Sequence, residues 1–401
     1  MVAGISHFEL FKVLKRGFQA MRSVLKLAIG CAVSCLVFQE VEACTAFQLK
    51  SQDGALIYCR SMEYEFPMDS NILIVPREEA FKGTAPGKKM GMQWKSKYGF
   101  VGLNQIMDRT TVSDGMNEKG LVVGCLYLPG FAKYETFLDA QSNKVLGPWE
   151  LTTFLLSSCA SIQDVKAILP TVMVVEQGTP GMGDFILPLH YYVSDQAGNC
   201  MIIEYVGGKR FTYDNPLGVL TNSPPFPWHL DNLTNYMNLS PVNVPILQLG
   251  NLKMRSFGQG SGFLGLPGDY TPPSRFVKAA FFSQAAIMPK SAQDAVRTGF
   301  HILNTFDIFE GAVQRLPSMK DGQVENLPPN QENLETTQWT VVHDRTNLKT
   351  YFRSYGSLSV QMVDLKKINF MMPGRSQILM RKEFMVEDVT TKTVGFAPQN
   401  Q

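Results

Sequence analysis

The feature that most constrains this chain is the junction Val41-Glu42-Ala43-Cys44-Thr45. Upstream of it, Lys12, Lys15, Arg16, Arg22 and Lys26 make a basic segment, and the run from Leu27 to Phe38 then carries no charge. That run is too short to span a bilayer, which takes about 20 apolar residues. Val41 and Ala43 supply the small residues that a signal peptidase prefers at −3 and −1. The segment 1–43 therefore reads as an export signal, with Met21 an alternative start that keeps Arg22 and Lys26. The working protein is expected in the periplasm or outside the cell, with Cys44 first. Two rivals exist. One is an uncleaved membrane anchor; the other is lipoprotein processing, which also leaves a cysteine first but acylates its nitrogen. Acidic Glu42 stands where a lipobox has a small residue.

A cysteine at the start of a chain carries a thiol nucleophile and a free α-amine on one residue. The amine has a reference pKa of roughly 7.7–8.0, near enough to neutrality to accept a proton during a reaction. Inside a chain the same nitrogen is an amide and cannot be a base.

Removing the five basic residues above from 37 Lys+Arg, and Glu9, Glu40 and Glu42 from 35 Asp+Glu, leaves 32 of each in residues 44–401. A neutral balance gives no reason to expect nucleic acid or an anionic membrane as partner, and no stable membrane anchor is expected. No Pro/Gly/Ser linker or repeat divides 44–401, which reads as one domain. Its cysteines are Cys44, Cys59, Cys125, Cys159 and Cys200, without C-x-x-C or Cys/His metal spacing. The odd number points to a free thiol at Cys44; whether the other four pair is not readable. The histidines His190, His229, His301 and His343 have no zinc or triad spacing and read as structural, and no phosphate loop is present.

Turn residues and apolar alternation predict hairpins over Thr45 to Glu63 (turning at Asp53-Gly54), Thr110 to Leu128, His190 to Val206 and Gln338 to Tyr355. Asn71 to Pro76 reads as a buried strand, Lys88 to Lys97 as an exposed basic stretch, and Arg210 to Thr221 as extended. Helical spacing covers Pro148 to Cys159, Ser161 to Leu169 with a Ser161/Asp164 cap, Trp228 to Met237, Ser274 to Ala286 and Ser291 to Phe306. Asn238 to Pro272 is an irregular Gly- and Pro-rich excursion. Runs of hairpins separated by helix pairs give an α+β arrangement of antiparallel sheets covered by helices.

Cys44 needs a group that favours its thiolate, one that holds the amine, and donors for an oxyanion. Arg60 and Glu63 end the second strand of the first hairpin, beside the strand that begins at Cys44. That geometry can set a guanidinium near the thiol and a carboxylate near the amine; an exposed strand-end ion pair fits the spacing as well.

Five stretches carry a resemblance: Cys44-Thr45; Arg60-Ser61-Met62-Glu63; Asp114-Gly115-Met116-Asn117-Glu118-Lys119-Gly120-Leu121; Gly218 to Pro224; and Gly265 to Phe276. In this order they resemble the choloylglycine hydrolase and penicillin V acylase family of N-terminal-nucleophile hydrolases, across essentially all of 44–401. The resemblance implies a four-layer αββα sandwich of two antiparallel sheets and hydrolysis of linear amide C–N bonds, with no metal and no cofactor.

Carried over by position, Cys44 resembles the family's nucleophile and Arg60 the arginine that favours its thiolate. Glu63 stands where the family usually has aspartate, the group that hydrogen-bonds the α-amine. The extra methylene shifts that group by on the order of 1 Å. Asn222 resembles the oxyanion asparagine and Arg275 a second active-site arginine. Without the resemblance, Asn222 reads equally as a turn residue before Ser223-Pro224.

Tyr127, whose backbone N–H is the second expected oxyanion donor, falls where bile-salt-hydrolysing members carry asparagine and penicillin V acylases often carry tyrosine. The alternative is a strand tyrosine that only packs the core. The expected substrate is a small-molecule amide, penicillin V by preference, with conjugated bile salts or N-acyl homoserine lactones as alternatives. A reading of another class is a non-catalytic, lipid-anchored envelope protein that uses the cleft for binding. The excursion Asn238 to Pro272 resembles the segment with which members embrace a neighbouring subunit, which implies a homotetramer; otherwise it is a mobile loop.

Overall fold

The computed structural model describes residues 43–105, 110–314, 319–320, 323–324 and 334–392; the expected leader, apart from Ala43, lies outside them. The chain opens in β1 (Cys44–Lys50) and β2 (Leu56–Tyr64), an antiparallel hairpin with Cys44 opposite Met62. Its turn closes through Ser51 and Ala55, with Gly54 at φ 86°, a conformation that costs glycine little because it has no Cβ. Strands β3 (Ile72–Val75), β4 (Phe100–Asn104), β5 (Val112–Asn117) and β6 (Val122–Tyr127) follow, then helices α1 (Leu151–Ser158) and α2 (Ile162–Ile168). β7 (Leu189–Ser194), β8 (Cys200–Val206) and β9 (Lys209–Asp214) precede α3 (Phe226–Leu233), α4 (Pro272–Ala285) and α5 (Ala292–Leu303). The chain continues through β10 (Val313–Gln314), β11 (Leu334–Asp344), β12 (Lys349–Ser354), β13 (Ser357–Asp364) and β14 (Ser376–Ile378).

These strands make two antiparallel sheets. One runs in the order β1-β2-β11-β12-β13, with β10 against β11; the other runs β9-β8-β7-β6-β5-β4-β3-β14. α4 packs on β1 and α5 on β2 and β11, while α1 packs on β5 and β6. With a helix layer on each sheet and the sheets face to face, the architecture is the αββα sandwich. β2 and β6 lie between layers on both faces, so their residues are buried almost without interruption. Across the inter-sheet core, Tyr58 of β2 meets Tyr192 of β7 with ring centroids 4.9 Å apart.

Local chemistry explains the ends. Ser161 caps α2 by accepting from the Asp164 N–H at 3.2 Å, and Pro272 opens α4, where a missing N–H costs nothing. Three details differ from the sequence expectation. Lys89–Lys95 is a strand paired with Ala80–Ala85, whose Phe81 stacks on Trp94 at 5.0 Å, so one side of this basic stretch is packed. The extended segment after Arg210 ends at Asp214, and the chain returns to bridge Leu220 with Ala46. The excursion after Asn238 contains a short hairpin, Leu247–Leu249 with Leu252–Met254, which keeps nearly every side chain exposed.

Candidate active site

The site forms where the start of β1 meets the ends of β2 and β6, the Leu220–Asn222 turn and the first turn of α4. Cys44 is fully buried, with its Sγ 3.7 Å from Arg60 Nη2 and 3.6 Å from Met62 Sδ. Arg60 and Met62 share one face of β2, since side chains alternate along a strand.

Arg60 is fixed from several directions. Its Nη1 donates to Asp114 Oδ2 at 3.0 Å and Ser113 O at 2.9 Å, its Nη2 donates to Cys125 O at 2.5 Å, and Trp339 lies 5.4 Å from the guanidinium. Asp114 in turn accepts from Tyr58 Oη at 2.8 Å and pairs with His343 Nε2 at 2.8 Å. Gly124 makes room for this cluster. A Cβ there would stand 2.5 Å from Asp114 Oδ2 and 2.9 Å from Arg60 Nη1.

Arg275 joins the other half of the site. Its Nη1 donates to the Cys44 carbonyl and to Thr45 Oγ1 (2.9 Å for the latter), its Nη2 to Asn222 Oδ1 at 2.7 Å, and its Nε to Tyr270 O at 2.8 Å. Asn222 Oδ1 also accepts the Cys44 N–H at 2.8 Å, and its Nδ2 donates to Tyr127 O at 2.9 Å. The N–H and C=O of one strand residue point to the same edge, so the Tyr127 N–H is directed to the edge that Asn222 occupies. The Tyr127 ring packs 6.1 Å from that of Tyr64.

Glu63 stands slightly apart. Its backbone N–H donates to Ala43 O at 3.0 Å, and its Oε1 accepts from Thr337 Oγ1 at 3.2 Å. With Ala43 attached, the residue-44 nitrogen is an amide whose hydrogen goes to Asn222, and no hydrogen bond joins it to Glu63 among the described residues. Arg60 and Glu63 are both buried, so the strand-end surface pair allowed by their spacing is not what forms. The structure thus brings Cys44, Arg60, Tyr127, Asn222 and Arg275 into direct contact and sets Glu63 against the residue just before Cys44.

The profile of the linear amide C–N hydrolases, choloylglycine hydrolase family, matches residues 44–379. The chain belongs to this family. It is 30% identical over 332 residues to a bile salt hydrolase/transferase of Clostridium perfringens, covering 81% of this chain and 93% of that protein. It is 28% identical over 368 residues to a penicillin V acylase of Pectobacterium atrosepticum, covering 88% and 87%. A crystal structure of a mutant conjugated bile acid hydrolase from Clostridium perfringens superimposes with a TM-score of 0.74 at 29% identity, over 86% of this chain and 100% of that one. As a choloylglycine hydrolase family member, the chain is an enzyme that hydrolyses linear amides.

The family member's site is electrostatically tense. Burial pushes the Cys44 thiol above its usual value, against the pull of the Arg60 guanidinium; Glu63 pushes the same way as burial. Burial raises the Glu63 carboxyl to about 8, with Arg275 opposing and Glu335 reinforcing. Arg275 is lowered by burial, against the nearby carboxylates.

Several supporting residues escape a reading of the sequence. His229 Nε2 holds the Asn222 carbonyl at 2.9 Å while its ring stacks on Phe276 at 4.6 Å, and burial lowers its pKa to about 4, so the ring is neutral. His190 holds the Thr221 carbonyl at 3.0 Å and pairs with Glu204 at 3.0 Å. The two imidazoles thus clamp the backbone that carries the Asn222 side chain. Isolated histidines give no signal of this, because their partners lie on other elements. The remaining cysteines, Cys59, Cys125, Cys159 and Cys200, are buried free thiols. Among the described residues no cluster could hold a metal ion.

Proposed function

We propose that the protein is a cysteine N-terminal-nucleophile amidohydrolase that works by acyl transfer to Cys44, with penicillin V-type amides as its substrate class. The observation that carries this is the placement of Cys44 at the first residue of β1, with Arg60 on its sulfur and Asn222 and Arg275 on its main chain. Once the chain begins at Cys44, its nitrogen is an amine and can take the thiol proton. The thiolate attacks the substrate carbonyl carbon, and the Asn222 amide with the Tyr127 N–H receives the oxyanion. An amide nitrogen has two hydrogens, so Asn222 can serve the oxyanion beside its bond to the Tyr127 carbonyl. The α-ammonium passes its proton to the leaving nitrogen, the C–N bond breaks, and a thioester remains. Water, deprotonated by the amine, then hydrolyses the thioester and restores the thiol. Arg60 stabilises the thiolate, Arg275 holds Asn222, and Glu63 positions the amine.

The Tyr64/Tyr127 pair beside Asn222, with Phe66 6.1 Å from Tyr64, supports an aromatic acyl group such as phenoxyacetyl. Bile salt hydrolysis is the second reading, favoured by the 30% identity to the clostridial bile salt hydrolase/transferase. Turnover of penicillin V, glycocholate, taurocholate and acyl homoserine lactones by the isolated protein decides between them; penicillin V should have the highest kcat/KM, and a larger value for a bile conjugate would reverse the order.

Export with cleavage at Ala43-Cys44 belongs to the same proposal, since the mechanism needs a free amine at residue 44. So does a homotetramer, which the exposed apolar side chains of the excursion support, Val242 at 72% and Leu264 at 83% exposure among them. Among the described residues no helix is long and apolar enough to cross a membrane.

A further inference from the structure

Tyr58, His343 and Thr350 form a row across three neighbouring strands of one sheet. Tyr58 of β2 is opposite His343 of β11, and His343 is opposite Thr350 of β12, so the three side chains leave the sheet on one face. Arg60 is two residues from Tyr58 and shares that face. The face looks into the sandwich, where Arg60 and His343 both meet Asp114 of β5 in the other sheet. Each of these side chains is fully buried.

Asp114 divides its two oxygens among its neighbours. Oδ2 takes hydrogens from Arg60 Nη1 and Tyr58 Oη, while Oδ1 lies 2.8 Å from His343 Nε2. A carboxylate only accepts, so the hydrogen of this last bond sits on the imidazole. His343 Nδ1 is 2.9 Å from Thr350 Oγ1, a hydroxyl that serves as donor or acceptor, so the ring is held from both ends. Its plane is fixed too, stacked on Tyr58 at 5.8 Å and 15°. Burial, reinforced by Asp114, pushes the Tyr58 hydroxyl well above its usual range, so it stays a donor.

Arg60 depends on this arrangement. Its Nη2 is 3.7 Å from Cys44 Sγ, but its Nε is buried without a hydrogen-bond partner among the described residues, so the guanidinium is held by its Nη groups. Removing the His343 hydrogen would leave Asp114 Oδ1 buried and unpaired, which is costly for a charged group. The carboxylate would turn toward its remaining donors and draw the guanidinium off the sulfur. The N–H dipole of His343 would also be lost, and its positive end lies toward the thiol's surroundings. Both effects disfavour the thiolate.

We infer that His343 is a positioning residue of the site, which holds Arg60 at the Cys44 sulfur by occupying the second oxygen of Asp114. This deepens the proposed mechanism and rests on its reading of Cys44 as the nucleophile. No spacing in the sequence joins His343 to Arg60, because only the facing of the two sheets puts Asp114 between them.

Two readouts test the role. The pH dependence of Cys44 alkylation by iodoacetamide, mapped by mass to that residue, needs no substrate. The other is kcat and KM for whichever of penicillin V, glycocholate, taurocholate and acyl homoserine lactones is turned over fastest. His343→Phe keeps the ring on Tyr58 and removes the hydrogen. It should raise the alkylation midpoint by about one pH unit and lower kcat about tenfold, with KM changed less than about twofold. His343→Gln offers Asp114 an amide N–H from the same place, and should return the midpoint close to wild type and kcat to within about threefold. A histidine that only filled space would give the opposite order, since phenylalanine matches its shape better.

A midpoint that stays or falls in His343→Phe would overturn the inference, as would losses in His343→Gln as large as those in His343→Phe. If His343→Phe does not fold, His343→Asn replaces it: the shorter amide serves Thr350 but falls short of Asp114, and wild-type values there overturn the inference. An unsubstituted protein that hydrolyses none of these amides would count against the substrate reading alone, with the alkylation midpoint still testing His343.

Discussion

At the scale of single residues, the chemistry separates groups that react from groups that hold them. Cys44→Ala should abolish turnover, and Cys44→Ser should reduce kcat by at least about a thousandfold, because a buried hydroxyl is far harder to ionise than a thiol; initial rates on the preferred amide check both. Full activity in the alanine variant would remove Cys44 from the mechanism. Glu63→Asp should be tolerated, and Glu63→Ala should lower kcat while leaving the thermal midpoint nearly unchanged. Unchanged kinetics in the alanine variant would leave Glu63 no part in placing the amine.

Glu63 also makes a stability prediction for protein that retains Ala43. Its carboxyl rises from 4.5 to about 8 in the fold, so the folded state favours the protonated form. The sign follows from linkage: the contribution is complete below the unfolded value, near pH 4.5, and is lost as pH climbs through about 8. The urea midpoint of this form should therefore fall between pH 5 and 9, and Glu63→Gln should flatten the decline. A steeper decline in the glutamine variant would contradict this assignment.

At the scale of elements, the first hairpin does most of the positioning. Its register sets Cys44 opposite Met62 and therefore Arg60 one face-repeat away from the sulfur. That much was legible in the sequence, because the Asp53-Gly54 turn fixes which residues of the two strands meet. The hairpins at β5–β6, β7–β8 and β11–β12 and the two outer helix pairs were legible for the same local reasons. What the sequence hid is contact between distant strands. Asp114 was visible inside a motif, but its bonds to Arg60, Tyr58 and His343 depend on one sheet facing the other. His343 and His229 carried no local signal at all.

Gly124 tests that facing arrangement. Gly124→Ala puts a methyl against Asp114 and Arg60, and should cost about 1–3 kcal/mol of stability together with much of the activity. Equal melting temperature and rate would mean the cluster has slack that these distances deny. His229→Ala should lower kcat more than it raises KM, because it loosens the Asn222 backbone without touching the nucleophile; the reverse split would place His229 in substrate binding.

At the scale of the whole molecule, the sandwich is a frame that brings the start of β1 into contact with both sheets and a helix. The excursion after Asn238 projects apolar side chains that the same chain leaves uncovered, Leu249 and Leu252 on its hairpin among them. Sedimentation should find a tetramer, and Leu249→Asp combined with Leu264→Asp should shift it to smaller species with each subunit still folded. A monomer in the unsubstituted protein would reduce the excursion to a surface loop. Everything at the smaller scales depends on where the working polypeptide starts. Terminal sequencing of the active protein is therefore the decisive measurement: the first cycle should return Cys44 with an unblocked amine, whereas an active protein that starts elsewhere, or whose first nitrogen is acylated, would contradict the mechanism.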